Sequence, residues 1–200
     1  MNSVIKGNQA AMLKVHLNRD QGLFIAQDRV MACSNHLIFS RRSDGGIWTK
    51  LARKFSRSNF VYQEVHAEQD DQWIMMAPAM YGAITTIDMR HHEYLVAEAN
   101  SILAAQDSVH FSQKISPAEE TGLETVTISG KGSVYLGGHG AIENMVLMPG
   151  QKAFVTPGYL LAFERGVVAE KLVDGMVQIS GPGQVWLQTR LRPYTAATSD

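Results

Sequence analysis

The sequence predicts an all-β protein built from three related units with little helix, and three observations carry that expectation. Short β-branched or aromatic runs, among them Phe60 to Tyr62, Tyr94 to Ala97, Val109 to Phe111 and Val185 to Leu187, recur between turn-forming residues. Their spacing of about 8 to 12 residues suits a sandwich or barrel. Sixteen-residue segments beginning at Leu17, Met89 and Leu147 align with one another without gaps. Finally, Ile128 to Leu136 and Ile179 to Leu187 match in frame, each placing a Gly-x-Gly between two apolar pieces.

Taken along the chain, each aligned segment opens on an apolar residue followed by a polar turn, at 18–21, 90–93 and 148–151. An apolar strand comes next, then a second turn, then an apolar pair ending in Ala32, Ala104 or Ala162, and the register persists to Leu37, Val109 and Val167. The Gly-x-Gly hairpins follow in the second and third units, whereas the counterpart around Val65 to Met75 lacks the glycines. Gly82-Ala83-Ile84 and Gly140-Ala141-Ile142 stand at matching positions ahead of Met89 and Leu147. The expected organisation is one domain with internal repeats at roughly 12–76, 77–136 and 137–192 and a flexible tail over 193–200. One helical pattern occurs at Ile47 to Arg57, where Ile47, Leu51 and Phe55 share a face, and a long hairpin loop fits that stretch equally well.

Composition narrows the function classes. A chain of 200 residues with 45% apolar content has enough material for one core, and its 18% charged content falls short of the usual share of about 25%. That shortfall leaves surface for partners. The net charge of −1 gives no global field for nucleic acid or anionic lipid, so such binding needs a local patch. Cys33 is the single cysteine, which rules out an intrachain disulfide and makes a reducing, cytoplasmic setting the expectation. The longest apolar candidate, Trp73 to Ile84, is interrupted by Pro78 and Gly82 and falls short of the roughly 18 apolar residues a spanning helix needs. Lys6, Lys14 and Arg19 precede any acid, but strand-like sequence begins already at Met12, which argues against a presequence.

Four groups of residues could carry chemistry. Cys33 aligns with Ala105 and Phe163 and is expected to be a small buried hydrophobe; its odd offset from His36 puts the two on opposite faces of a strand, against a nucleophilic dyad. His91-His92-Glu93 is the densest metal-capable cluster, yet adjacent side chains diverge and the aligned positions are turns, so a solvated turn is expected. His139, within Gly137-Gly138-His139-Gly140, is a weak ligand candidate: the glycines permit close approach of an anion, but strand-like sequence follows where a phosphate loop needs a helix. Arg41, Arg42, Lys50, Arg53, Lys54 and Arg57, opposed only by Asp44 and interleaved with Trp48 and Phe55, form a basic loop. It is a candidate partner-binding surface for protein, with a merely solvated loop, nucleic acid or lipid as alternatives. Met75, Met76, Met80, Met89, Met145 and Met148 suit core gaps or an adaptable subunit interface.

Gly140-Ala141-Ile142-Glu143, Leu147 to Gln151, Pro157 to Phe163 and Gly181 to Arg190 resemble the signature of the altered-inheritance-of-mitochondria type family of bacterial and mitochondrial proteins. By fold this family is grouped with the tryptophan RNA-binding attenuation protein. The resemblance extends from about Met12 to Arg192. It implies three short double-stranded β-helix units with pseudo-threefold symmetry, commonly assembled into oligomers. It implies no established enzymatic activity, and for mitochondrial relatives a link to inner-membrane and respiratory organisation. The expectation is therefore a non-enzymatic assembly or scaffold protein, homo-oligomeric, without catalytic residues, cofactor or metal, acting through protein partners. The alternative is a small-ligand or nucleic-acid binder using clefts between units, followed by a cupin-like metal enzyme.

Overall fold

The computed structural model describes residues 1–40, 62–112, 124–171 and 175–191. Its strands are β1 (Asn2–Lys6), β2 (Met12–Leu17), β3 (Gly22–Ala26), β4 (Val30–Cys33), β5 (Leu37–Ser40), β6 (Tyr62–Ala67), β7 (Gln72–Met76), β8 (Ile84–Asp88), β9 (Tyr94–Glu98) and β10 (Ile102–Gln106). They continue as β11 (Val109–Ser112), β12 (Thr125–Gly130), β13 (Ser133–Gly137), β14 (Ile142–Leu147), β15 (Lys152–Val155), β16 (Leu160–Glu164), β17 (Val168–Lys171), β18 (Val177–Ser180) and β19 (Gly183–Gln188). Helical turns among the described residues are three-residue 3₁₀ pieces at Gln27–Arg29, Met89–His91, Ala99–Ser101 and Pro157–Tyr159. The all-β expectation holds; the helical pattern at Ile47 to Arg57 lies outside the described residues.

Side-chain period decides which face each strand buries. In β2, Leu13, Val15 and Leu17 point into the core while Lys14 and His16 face outward, the alternation of a half-buried strand. β3 is buried along its whole length, as Gly-Leu-Phe-Ile-Ala requires, because a continuous apolar run has no polar face to offer solvent. All ladders among the described strands are antiparallel. They build a four-stranded sheet (β1-β2-β7-β4), two six-stranded sheets (β5-β6-β3-β10-β13-β8 and β11-β12-β9-β16-β19-β14) and a three-stranded sheet (β15-β18-β17).

Two pairings knit distant parts of the chain into the large sheets. β3 meets β10 with Ile25 opposite Ala104, and β9 meets β16 with Ala97 opposite Ala162. On their other sides β10 and β16 each carry an irregularity: the ladder steps from Ile102 to Ala104 against β13, and from Leu160 to Ala162 against β19. β4 does the same against β7, stepping from Val30 to Ala32. One residue is left out of the ladder each time, namely Leu103, Leu161 and Met31, as in a β-bulge.

The core divides into three apolar clusters. One gathers Leu13, Val15, Leu23, Ile25, Val65 and Ile74 and is completed by Ile84, Leu103, Ala104 and Tyr135. A second gathers Leu95, Val109, Phe111, Val126 and Ile128 and is completed by Leu161, Ala162 and Trp186, with Ile142 packed against it. The third surrounds Val155, Phe163, Val177, Ile179 and Val185. Hairpin chemistry differs between them. The β12–β13 turn uses Gly130 and Gly132 at φ of 102° and 132°, where no side chain is comfortable. The β6–β7 turn, which lacks glycine, places Asp71 at φ 57°, a left-handed conformation that Asp tolerates. The missing glycines around Glu68 to Gln72 therefore do not abolish that hairpin.

Leu95 is fully buried in the second cluster, opposite Ile128. Leu95→Ala is expected to cost about 2–5 kcal/mol through lost transfer energy and a residual cavity. A lower urea midpoint at unchanged slope is the expected result.

Candidate functional site

The His91-His92-Glu93 turn follows the 3₁₀ piece Met89–His91, whose first turn is capped when the Asp88 carboxylate accepts the Arg90 N–H at 3.0 Å. The Arg90 guanidinium closes on the same carboxylate, with Nε 3.0 Å from both oxygens. His91 Nε2 stands 3.8 Å from it, with its ring largely in solvent. The side-chain hydrogen bond from Arg90, then the one from its backbone, hold the Asp88 carboxyl well below the usual carboxylate range, and the same pairing raises the Arg90 guanidinium.

His92 turns the other way. Its Nδ1 donates to Glu164 Oε1 at 2.6 Å, and its ring lies edge-on to Trp186 at a centroid distance of 6.0 Å. Glu164 Oε2 also accepts the backbone N–H of Gln184 at 2.6 Å. Glu93 diverges again and pairs with Arg165, whose guanidinium lies over the Tyr94 ring at 5.8 Å and is raised chiefly by its hydrogen bond to Glu93. Three adjacent side chains thus serve three different places. His92 and Glu93 fasten the start of β9 to the end of β16, and among the described residues no set of three His, Cys, Asp or Glu side chains converges to hold a metal.

His139 sits where two stretches of backbone cross. Gly82 and Gly140 form a parallel bridge, and a Cβ on Gly82 would lie 1.6 Å from the Gly138 carbonyl oxygen. The amides an anion would need are already engaged: Gly138 N–H donates to Ala83 O, His139 N–H to Gln188 Oε1 and Gly140 N–H to Tyr81 O, at 2.9–3.0 Å. The glycines serve close packing of chain on chain. Beside them lies an open concavity of about 520 Å³ lined by residues such as Ile5, Asn8, Ile84 and Ile142.

Cys33 corrects an expectation. It aligns with buried residues, yet its side chain is exposed, because β4 is a sheet edge with no strand on its outer side among the described residues. Met31 and Ala32 beside it are exposed too. On β15, also an edge, Phe154 is exposed. The methionines split: Met76 and Met89 are core, Met75 and Met145 half-buried, Met80 and Met148 exposed. Arg41, Arg42, Lys50, Arg53, Lys54 and Arg57 lie outside the described residues. Apolar edges such as β4 and β15 are what residue-type reasoning overlooked; the signal available at β4 was the placing of Met31 in line with Leu103 and Leu161 in the ungapped alignment.

These features define a class: an antiparallel β protein in which exposed apolar side chains gather on sheet edges. The chain belongs to the family described as mitochondrial biogenesis AIM24, whose model matches residues 3–190. In fold it is similar to protein SPYM3_0169 from Streptococcus pyogenes, known from an X-ray crystal structure. The TM-score is 0.78 at 14% identity, covering 95% of this chain and 94% of that one. No curated protein matches. No helix among the described residues is long and apolar enough to cross a membrane.

Two outcomes test the site. Gly82→Ala is expected to prevent native folding or lower the melting temperature sharply, since backbone rather than a flexible side chain blocks the added carbon. Asp88, depressed in the folded state, stabilises the fold above the unfolded pKa of about 3.9, and that contribution disappears as pH falls through the lower folded value. Carbon-detected NMR titration should place its midpoint well below that of an unfolded Asp, and Arg90→Ala should return it toward the ordinary range.

Proposed function

We propose that this chain is a non-enzymatic assembly protein, a pseudo-threefold arrangement of three short double-stranded β-helix units that oligomerises in the cytoplasm and works through protein partners. The observation that carries the proposal is the exposure of apolar side chains on sheet-edge strands, Met31 on β4 and Phe154 on β15 among them, as also Ile38 and Phe39 on β5 and Val146 on β14. An unpaired edge is a template for another strand, and proteins that remain monomeric blunt such edges with charge, proline or a covering segment. Met31, Ala32 and Cys33 on β4 are none of these. Support for three units comes from the shared irregularity at Met31, Leu103 and Leu161 and from the agreement of the two long-range pairings with the sequence alignment. In this reading the basic stretch from Arg41 to Arg57 is a docking loop.

A second reading, a small-ligand or nucleic-acid binder using clefts between units, draws on the concavity beside Ile5 and Ile142. Among the described residues its lining has no charged side chain to fix a phosphate or an anionic ligand, so the assembly reading is the better supported.

Native mass spectrometry of gently purified protein is expected to give a homo-oligomer without extra bound mass; a monomer carrying a stoichiometric adduct would favour the ligand reading. Charge reversal at Arg53, Lys54 and Arg57 together should change folding stability little, at about 0.5 kcal/mol or less per site, and should abolish partner capture. An unchanged set of captured partners would refute the docking role of the loop.

A further inference from the structure

The exposed residues of β4 and β15 have buried counterparts inside the same chain. At the first long-range pairing Ala104 and Ala105 stand opposite Ile25 and Phe24, and at the second Ala162 and Phe163 stand opposite Ala97 and Val96. The ungapped alignment puts Ala32 and Cys33 of β4 in the places of the first members, and Val155 and Phe154 of β15 in the places of the second. Leu103 and Leu161 are 1% and 2% exposed, whereas Met31, left out of its ladder in the same way, is 58% exposed. Phe24 and Val96 are 8% and 3% exposed, whereas Phe154 is 57% exposed. Two of three equivalent junctions are made within the chain, and the strands of the third, β4 and β15, are both present with no described strand paired on their outer sides.

The core clusters follow the same rule. The first is completed by Ile84, Leu103, Ala104 and Tyr135, and the second by Ile142, Leu161, Ala162 and Trp186. The third receives no such set. The matching set exists in the first unit as Met12, Met31, Ala32 and Met75, all half-buried or exposed.

The amides that open each unit engage the segment that follows its last strand. Ala11 N–H donates to Gly82 O, and Ala83 N–H to Gly140 O. The corresponding amide of the third unit, Ala141 N–H, donates to the Thr189 hydroxyl at 2.8 Å, in the segment that follows β19. β4 and β15 are edges of two different sheets and do not pair with each other within the chain.

We propose that β15 of one copy pairs antiparallel with β4 of a second copy, with Phe154 opposite Cys33 and Val155 opposite Ala32, so that copies join head to tail. This rests on the assembly reading and names its partner and register. The pairing merges the four-stranded and three-stranded sheets into one, β17-β18-β15-β4-β7-β2-β1, comparable in size to the two six-stranded sheets. Flexible methionines at positions 12, 31 and 75 suit a surface that must fit Phe154 and its neighbours on another copy. A contact between two different patches is heterologous, so it closes into a ring when the rotation permits and otherwise propagates.

The test uses the native cysteine. In the full-length chain, Phe154→Cys sets a second thiol across from Cys33, at the cross-strand distance that a disulfide can bridge. Oxidised glutathione is expected to give a ladder of linked multimers, or one closed multimer, on a non-reducing denaturing gel, and reductant should collapse it. Val168→Cys, on the far strand of the same sheet, should give no ladder. Independently, Met31→Asp should leave the far-ultraviolet circular-dichroism spectrum of the folded chain unchanged, because Met31 is exposed in the single chain, and should remove the oligomer from the native mass spectrum. A disulfide confined to one chain would overturn the proposal, since it would mean that the ends meet within a copy. A wild-type oligomer that survives Met31→Asp and gives no Phe154→Cys ladder would overturn this interface and leave assembly standing. A wild-type monomer would overturn both.

Discussion

The backbone pairing of β10 with β3, and of β16 with β9, is the constraint on which the remaining structure depends. A strand in the middle of a sheet must satisfy donors and acceptors on both sides, and these two find their second partner far away in the chain. Alanine at positions 97, 104 and 162 keeps the pairs close, and small side chains there leave the volume above the sheet to Leu103, Leu161, Tyr135 and Trp186. Because the side-chain period of a strand is two, slipping either pairing by one residue would turn these groups outward and expose the core. The residue left out of the ladder beside each pairing follows from the same demand, for it lets a strand satisfy one register on its left and another on its right.

The polar groups are arranged by that frame. His92, Glu164 and the Gln184 amide meet because β9 and β16 are neighbours and β19 lies beyond them, next to Trp186. The ion pair of Glu93 with Arg165 lies at the same boundary but in solvent, where such pairs contribute little. At the other crossing, Gly82 and the Gly138 carbonyl come so near that no other residue can replace the glycine without moving backbone. Both boundaries are held by contacts between segments that the chain visits many residues apart.

Much of this was legible in the residues. The ungapped alignment located the strands, and with Ile25 and Ala97 at one shared position and Ala104 and Ala162 at another it carried the register of both long pairings. The divergence of His91, His92 and Glu93 followed from adjacency alone. Burial at β4 did not follow, because the alignment reports what a residue resembles and not whether a neighbouring strand is there to cover it; hence Cys33 was expected inside and lies outside. The engagement of the amides around His139 also escaped the sequence, since their acceptors, Ala83, Gln188 and Tyr81, are remote or carry no motif. Asp71 in a glycine-like turn was invisible for a simpler reason: Asp reaches that conformation only occasionally, and a pattern of glycines does not anticipate it.

The division of strands between sheets bears on how the molecule is made. Residues 84–137 supply β8, β10 and β13 to one six-stranded sheet and β9, β11 and β12 to the other. No cut through the middle of the chain yields two pieces with intact sheets. On the ribosome the same feature becomes a delay, since β10 begins at Ile102, roughly 75 residues after β3 ends at Ala26. At synthesis rates of about 5–20 residues per second, the apolar edge of β3 waits several seconds for its partner. The nascent chain is thus most vulnerable to aggregation before its middle third has emerged, and that interval is when a chaperone has the most to protect.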